Sequence, residues 1–223
     1  TDLTIEKDFN SICNRLPLDV FVNRIHNENP LTRENLLKMH EKIRPITNKI
    51  LPGEKINTVA YGCTSGTIAI GEDKVKKEIQ LAKPECYVTT PITSAIKAFQ
   101  IMKIKKIAVF TPYPESVNKT IYEYFSKKNI EVLSFGTFNL ELDSDFANID
   151  PKYLSETLIK LDTSGADALF VSCTALPALE IINEVEKKIN KPVFSSNQTL
   201  IWDTIRSVGY KSPIEGYGQL FKK

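Results

Sequence analysis

The chain has 223 residues, of which 42% are hydrophobic and 25% charged, with a formal net charge of +2. That allows one large domain or two small lobes with a sizeable core, whereas the small charge and lysines interleaved with acids (KVKKE, EVEKK) speak against a nucleic-acid partner. No apolar run approaches the ~20 residues that span a bilayer and no basic-then-apolar start suggests a signal peptide, so a cytoplasmic protein with no membrane partner is expected.

The opening, TDLTIEKDF, reads as a strand-to-helix loop whose strand lies upstream of Thr1. An amphipathic segment follows at 31–46, with Thr32 as its N-cap and Glu34 in the first turn. The first strand run is TVAYG, which leads directly into Cys63 and the small polar cluster TSGT. CYVTT, KIAVF, IEVLSF, ALFVS and PVFSS are further short runs rich in β-branched or aromatic residues. Amphipathic segments at 92–103, 115–128, 151–165 and 177–189 separate the later runs, and Pro151 suits a first helical turn. Strands alternating with helices of this length predict an α/β fold of βαβ units and parallel sheets.

A weak internal duplication is the most informative feature. Cys63 and Cys173 each end an apolar run and each precede a threonine, in YGCTSG and VSCTAL. About twenty residues after each comes Lys-Pro, a short strand, a hydroxyl-rich turn and a helix: 83-KPECYVTTPITSAIKAFQIM-102 and 191-KPVFSSNQTLIWDTIRSVG-209. Two matched blocks at almost equal offset predict two Rossmann-like lobes related by a pseudo-twofold axis. The expected division is 1–90 plus 195–223 on the Cys63 side and 91–194 on the Cys173 side. In open parallel sheets ligands bind beyond the carboxyl ends of the strands, so both cysteines are expected in one cleft between the lobes.

A cysteine between a strand end and a helix N-terminus sits where its pKa can fall. The N–H groups there, with the hydroxyls of Thr64, Ser65 and Thr67, form a seat for a carboxylate, and Gly62 and Gly66 allow close backbone approach. Two opposed thiols suit three reactions: racemisation beside a carboxylate, cis–trans isomerisation by addition to a double bond, or decarboxylation with one thiol as proton donor. The plain alternative for either cysteine alone is packing in the core; the matched pair favours catalysis. Cys13 and Cys86 lack the small polar follow-on and read as core or near-surface thiols. With no C-x-x-C pair and neither His26 nor His40 near a cysteine, no metal site is expected, and a disulfide scaffold is equally poor.

YGCTSGT, 111-TPYPESVN-118, and VSCTALP followed by KPV-x-SSNQ-x-L-x-W resemble the maleate cis–trans isomerase and arylmalonate decarboxylase group of the aspartate/glutamate racemase superfamily. The similarity runs from about Thr1 to Gly209. CTSGT with IGED, FGTFN and SCTAL is closest to the ectoine-utilisation branch. The resemblance implies a cofactor-independent enzyme with its site between two lobes, a small carboxylate as substrate, and room for homo-oligomers. Cys63 and Cys173 fall where the isomerases carry two catalytic cysteines. Decarboxylases of the group keep only the second, so Cys63 points toward an isomerase. Tyr113 matches a carboxylate-binding tyrosine, Thr64, Ser65 and Thr174 the donors around it, and Asn139 a substrate-binding asparagine.

One departure stands out: maleate isomerases carry an asparagine in the first loop where this chain has Asp2. An acid there would repel a second carboxylate and could bind an ammonium, although Asp2 or Thr4 could equally be a helix N-cap. Tyr113, between two prolines, could be only a rigid turn. Asn197 reads as an N-cap, while Trp202, His26 and His40 read as packing or surface residues. Arg24 and Arg206 are candidate carboxylate partners by residue type.

Overall fold

A computed structural model describes residues 2–223. The first part of the chain is helical: α1 (Ile5–Cys13), α2 (Arg33–Lys38) and α3 (His40–Asn48). Between α1 and α2 a long stretch without regular structure crosses the molecule. The expected cap of α2 is present, with the Thr32 hydroxyl accepting from the Asn35 N–H at 3.2 Å.

Next come β1 (Thr58–Ala60), α4 (Thr64–Ile70), α5 (Glu72–Ala82), β2 (Tyr87–Thr89) and α6 (Pro91–Met102). The strands β1 and β2 form a two-stranded parallel sheet, with Thr58 opposite Tyr87 and Ala60 opposite Thr89. The second sheet is built from β3 (Lys106–Thr111), α7 (Glu115–Lys127), β4 (Glu131–Thr137), α8 (Asp143–Ala147), α9 (Pro151–Lys160), β5 (Ala168–Val171), α10 (Ile182–Ile189) and β6 (Val193–Ser195). Its order is β4-β3-β5-β6, all parallel. All four residues of β5 are buried, as expected of a parallel strand covered on both faces. The chain ends with α11 (Ser196–Ser207) and a short 3-10 turn, Gln219–Lys222.

The duplication seen in sequence is a structural repeat. β1 and β5 each run into a cysteine loop, and β2 and β6 each run into a helix with a capping box, Thr90 with Thr93 and Ser195 with Gln198. The helices cross over between sheets. Phe99 of α6 packs edge-on against Phe170 of β5 and Phe194 of β6, with ring centroids 5.8 and 5.1 Å away. In return α11 lies on the first sheet: Ser207 pairs with Thr58 at 2.7 Å and Thr204 with Thr89 at 3.3 Å. The two lobes are thereby held face to face with their strand ends converging. No described helix is long and apolar enough to cross a membrane.

Candidate active site between the lobes

One cavity of about 310 Å³ opens where the strand ends meet, lined by Asp2, Cys63, Thr64, Ser65, Tyr113, Cys173 and Thr174. Seven of the eight expected site residues are therefore brought together. Asn139 is not. It is exposed beyond edge strand β4, in a left-handed conformation (φ 54°), with its N–H on the Thr137 hydroxyl. The edge strand turns it away from the cleft.

Cys63 is the N-cap of α4, and its sulfur accepts from the Gly66 N–H at 3.3 Å. The Ser65 hydroxyl lies 3.9 Å from the same sulfur. Gly66 is required here, because a Cβ would come within 2.8 Å of the Cys63 sulfur and 2.6 Å of Met39 Cε. Cys173 is seated differently. The chain after it forms turns, and α10 begins only at Ile182. Its φ of 144° is a region that residues with a Cβ rarely occupy. That backbone is held by the Cys173 N–H donating to Ser196 Oγ at 3.0 Å and by the Ala175 N–H donating to the thiol at 3.4 Å.

The two cysteine loops are bonded to each other. Thr64 Oγ1 donates at 2.8 Å to Ser196 Oγ, the same oxygen that accepts the Cys173 N–H. Thr174 Oγ1 donates to the Gly62 carbonyl at 3.3 Å. The two threonine hydroxyls thus tie the loops together while both residues still line the cavity. Ser65 and Tyr113 also line the cavity, with their hydroxyls beside the thiols. Tyr113 is fixed through its backbone: its carbonyl accepts from the Asn118 amide at 2.8 Å and the Thr137 hydroxyl at 2.7 Å. Its ring packs edge-on against Phe146, and its hydroxyl reaches the Cys173 thiol and Ser65. The TPY-x-x-x-VN pattern is explained by this clamp.

The electrostatics reverse the expectation of lowered thiol pKa values. Burial pushes the Cys63 thiol up to about 11, against the smaller pull of the Gly66 N–H; Asp143, the Ser65 hydroxyl and Asp2 contribute less. Burial pushes Cys173 further in the same direction, against its bond to Tyr113, and Asp2 and Asp143 add to the rise. A two-turn helix, seven residues in α4, does not offset the loss of water around the sulfur. Cys63 remains the more easily ionised of the two.

Other expectations sort as follows. Asp2 caps α1 after all, with Oδ1 accepting from the N–H groups of Thr4 at 2.8 Å and Ile5 at 3.0 Å, while Oδ2 is buried without a partner among the described residues. Asn197 is not a cap, since Ser195 fills that position. Its amide instead donates to Asp8 Oδ2 at 2.7 Å and to the Thr174 carbonyl at 2.8 Å, supporting the Cys173 loop from behind. Arg206 lies away from the cavity and holds the carbonyls of Tyr210, Ser212, Phe221 and Lys223. Arg24 lines the cavity but is taken by Glu6 and the Asp2 carbonyl, both at 2.6 Å. Trp202 is buried, His26 exposed and His40 half-buried. Cys13 and Cys86 are buried and free.

Sequence reasoning missed Ser196, Asp8 and Asp143. Ser196 had a signal, its place in the hydroxyl-rich turn of the second repeat. Asp8 and Asp143 had none, because only the tertiary fold brings Asp143 near the thiols and Asp8 behind the Cys173 loop through Asn197.

The arylmalonate decarboxylase family profile matches residues 72–221, which include the Tyr113 and Cys173 blocks. The chain belongs to the arylmalonate decarboxylase family. Within reach of this family, the maleate isomerase of Geobacillus stearothermophilus is 26% identical over 198 residues, covering 85% of this chain and 78% of that protein. The crystal structure of the maleate isomerase Iso from Pseudomonas putida S16 overlays with a TM-score of 0.90 at 19% identity, covering 100% of this chain and 94% of the other. Nocardia farcinica maleate cis–trans isomerase, solved as a cysteine-to-serine mutant with a covalently bound succinylcysteine intermediate, overlays with a TM-score of 0.89 at 17% identity, covering 99% and 94%. At those identities the overlays speak to the fold, a pair of lobes with parallel sheets.

Proposed function

We propose that the protein is a cofactor-independent isomerase that works on a small carboxylic acid through Cys63 and Cys173. The observation that carries this reading is the single cavity lined by both thiols, whose loops are hydrogen-bonded to one another. The similarity to maleate isomerases over most of the chain supports it, as does the succinylcysteine found in the Nocardia enzyme.

Cys63 acts first, because burial raises it less than Cys173. On a saturated acid, its thiolate takes the proton from the carbon beside the carboxylate and leaves the electron pair on that carbon and the carboxylate oxygens. The Cys173 thiol then gives its proton to the opposite face and becomes the thiolate. On an unsaturated acid, the Cys63 thiolate forms a C–S bond to one alkene carbon, and the electron pair moves to the carbon beside the carboxylate. Cys173 protonates that carbon, the single bond rotates, and the Cys173 thiolate takes the proton back as the C–S bond breaks. In both routes Ser65 and Tyr113 donate where negative charge develops.

Within the family we assign the chain to the ectoine-utilisation branch on CTSGT–IGED, FGTFN and SCTAL, and we expect a cytoplasmic enzyme able to self-associate. We divide its lobes at 1–90 plus 195–223 and 91–194, on the packing of α11 against β1 and β2 and of α6 against β5 and β6. A second reading is a decarboxylase using Cys173 alone, favoured by the family profile itself. Turnover of a carboxylic-acid panel by wild type, Cys63→Gly and Cys173→Ser separates the two. The isomerase loses roughly 10³-fold or more in both variants, whereas CO₂ release that survives Cys63→Gly would replace it with the decarboxylase.

A further inference from the structure

The charge lining the cavity is unsuited to a dicarboxylate. The described lining carries the carboxylates of Asp2, Glu6, Asp19 and Asp143 and a single cation, Arg24. Arg24 is already bonded to Glu6 and to the Asp2 carbonyl. Asp143 accepts from the Asn27 amide at 2.9 Å. No described cation is left to meet a second substrate carboxylate, whereas one carboxylate can be met by the Ser65 and Tyr113 hydroxyls.

Asp2 adds a specific feature to this balance. Its Oδ1 is occupied by the first turn of α1, with two N–H donors. Its Oδ2 is shielded from solvent and has no donor among the described residues. A buried carboxylate oxygen without a donor is costly unless a ligand supplies one. We propose that the substrate is zwitterionic, with its carboxylate held by Ser65 and Tyr113 and a cationic nitrogen donating to Asp2 Oδ2. This rests on the Cys63/Cys173 isomerase reading and narrows its substrate to small amino acids and their cationic derivatives. A substrate cation there would also act on catalysis. Asp2 raises both thiols, and a positive charge beside it offsets that effect when substrate is bound.

The test compares two ligands of similar size, succinate and 4-aminobutyrate, titrated calorimetrically into the full chain at pH 7.5. The proteins are wild type, Cys63→Ser and Asp2→Asn. Asparagine keeps the Oδ1 acceptor that caps α1, and circular dichroism checks that the fold is retained. Wild type and Cys63→Ser should both bind 4-aminobutyrate at least roughly tenfold more tightly than succinate, and Asp2→Asn should erase that ratio or invert it. The proposal is overturned if succinate binds wild type as tightly, if the ratio persists in Asp2→Asn, or if 4-aminobutyrate shows no heat at about 10 mM. Binding in Cys63→Ser does not depend on turnover. Loss of the charge preference therefore stays distinct from failure of the two-cysteine mechanism, which the turnover of Cys63→Gly decides.

Discussion

Replacing Asp8 with asparagine isolates one electrostatic effect that the fold makes measurable. Asp8 is 8% exposed, and burial raises its carboxyl to about 7, against the bond from Asn197. The bond comes from the Asn197 amide, at 2.7 Å from Asp8 Oδ2. In the unfolded chain the same group titrates near 3.8. The folded state therefore holds the proton more tightly, so stability falls as pH rises from about 4 through 7 and levels off above that. At 1.36 kcal/mol per pH unit, the penalty grows by roughly 3 kcal/mol between pH 5 and pH 8. Asparagine has nearly the same shape, keeps an acceptor for Asn197 and carries no charge to desolvate. Asp8→Asn should therefore melt at a temperature near that of wild type at pH 4, and higher than wild type at pH 8. For a chain of this size that gap is of the order of 6–12 °C. Urea or thermal unfolding at pH 4, 5, 6.5 and 8 reads it directly. Parallel stability–pH curves for the two proteins, or a variant less stable at pH 8, would refute the account of Asp8 as a buried carboxyl with a raised pKa.

Two further outcomes follow from the geometry around Cys63. Gly66→Ala would ordinarily favour a helix by up to about 1 kcal/mol, but here the new Cβ meets Met39 Cε at 2.6 Å, the Cys63 sulfur at 2.8 Å and Tyr61 Oη at 3.0 Å. Turnover should drop by at least roughly tenfold with a lowered melting temperature, and a variant with unchanged kcat and Tm would show that the sulfur is not seated on the Gly66 N–H. Alkylation of the ligand-free protein by iodoacetamide should be slow at pH 7.5, where a thiol near 11 is ionised on the order of one part in 10³–10⁴. As pH rises, mass spectrometry should find Cys63 labelled before Cys173; labelling of Cys63 at pH 7 as fast as free cysteine would contradict the raised thiol.

The strands were legible because each is a short β-branched or aromatic run with a polar boundary, and all six were found where those runs lie. The cysteine pair was legible because the chain states it twice. What the repeat could not convey is that its copies differ in three dimensions. CTSGTIA continues as a helix, so Cys63 becomes a cap, whereas the turns after Cys173 postpone α10 to Ile182. The direction of the thiol shifts was misread for a related reason. Local sequence predicts the N–H groups near a sulfur, but desolvation depends on what the rest of the chain lays over it, including Tyr113 and the stretch between α1 and α2. The place of Asn139 outside the described cavity lining was not legible, because it depends on where edge strand β4 ends. Asn197 failed because its partner, Asp8, lies nearly the whole chain away.

The inequality of the two cysteines gives the site a direction that a symmetric pair would lack. Cys63 keeps part of its surface on the cavity and takes one N–H from its own helix, while Cys173 is buried in a strained backbone pinned by Ser196. Strain of this kind costs on the order of 1–3 kcal/mol and persists only where the surroundings overdetermine it. Here the surroundings include Thr64 of the opposite loop, through the shared Ser196 oxygen. The bond that helps hold Cys173 in its unfavourable conformation thus also fixes its position relative to Cys63. A thiol that stays protonated, on the same cavity as a thiol that ionises first, suits the two-sided proton transfer proposed above. The duplication supplied two equivalent positions, and the burial difference between them leaves Cys63 the more easily ionised, which is the order that the proposed mechanism uses.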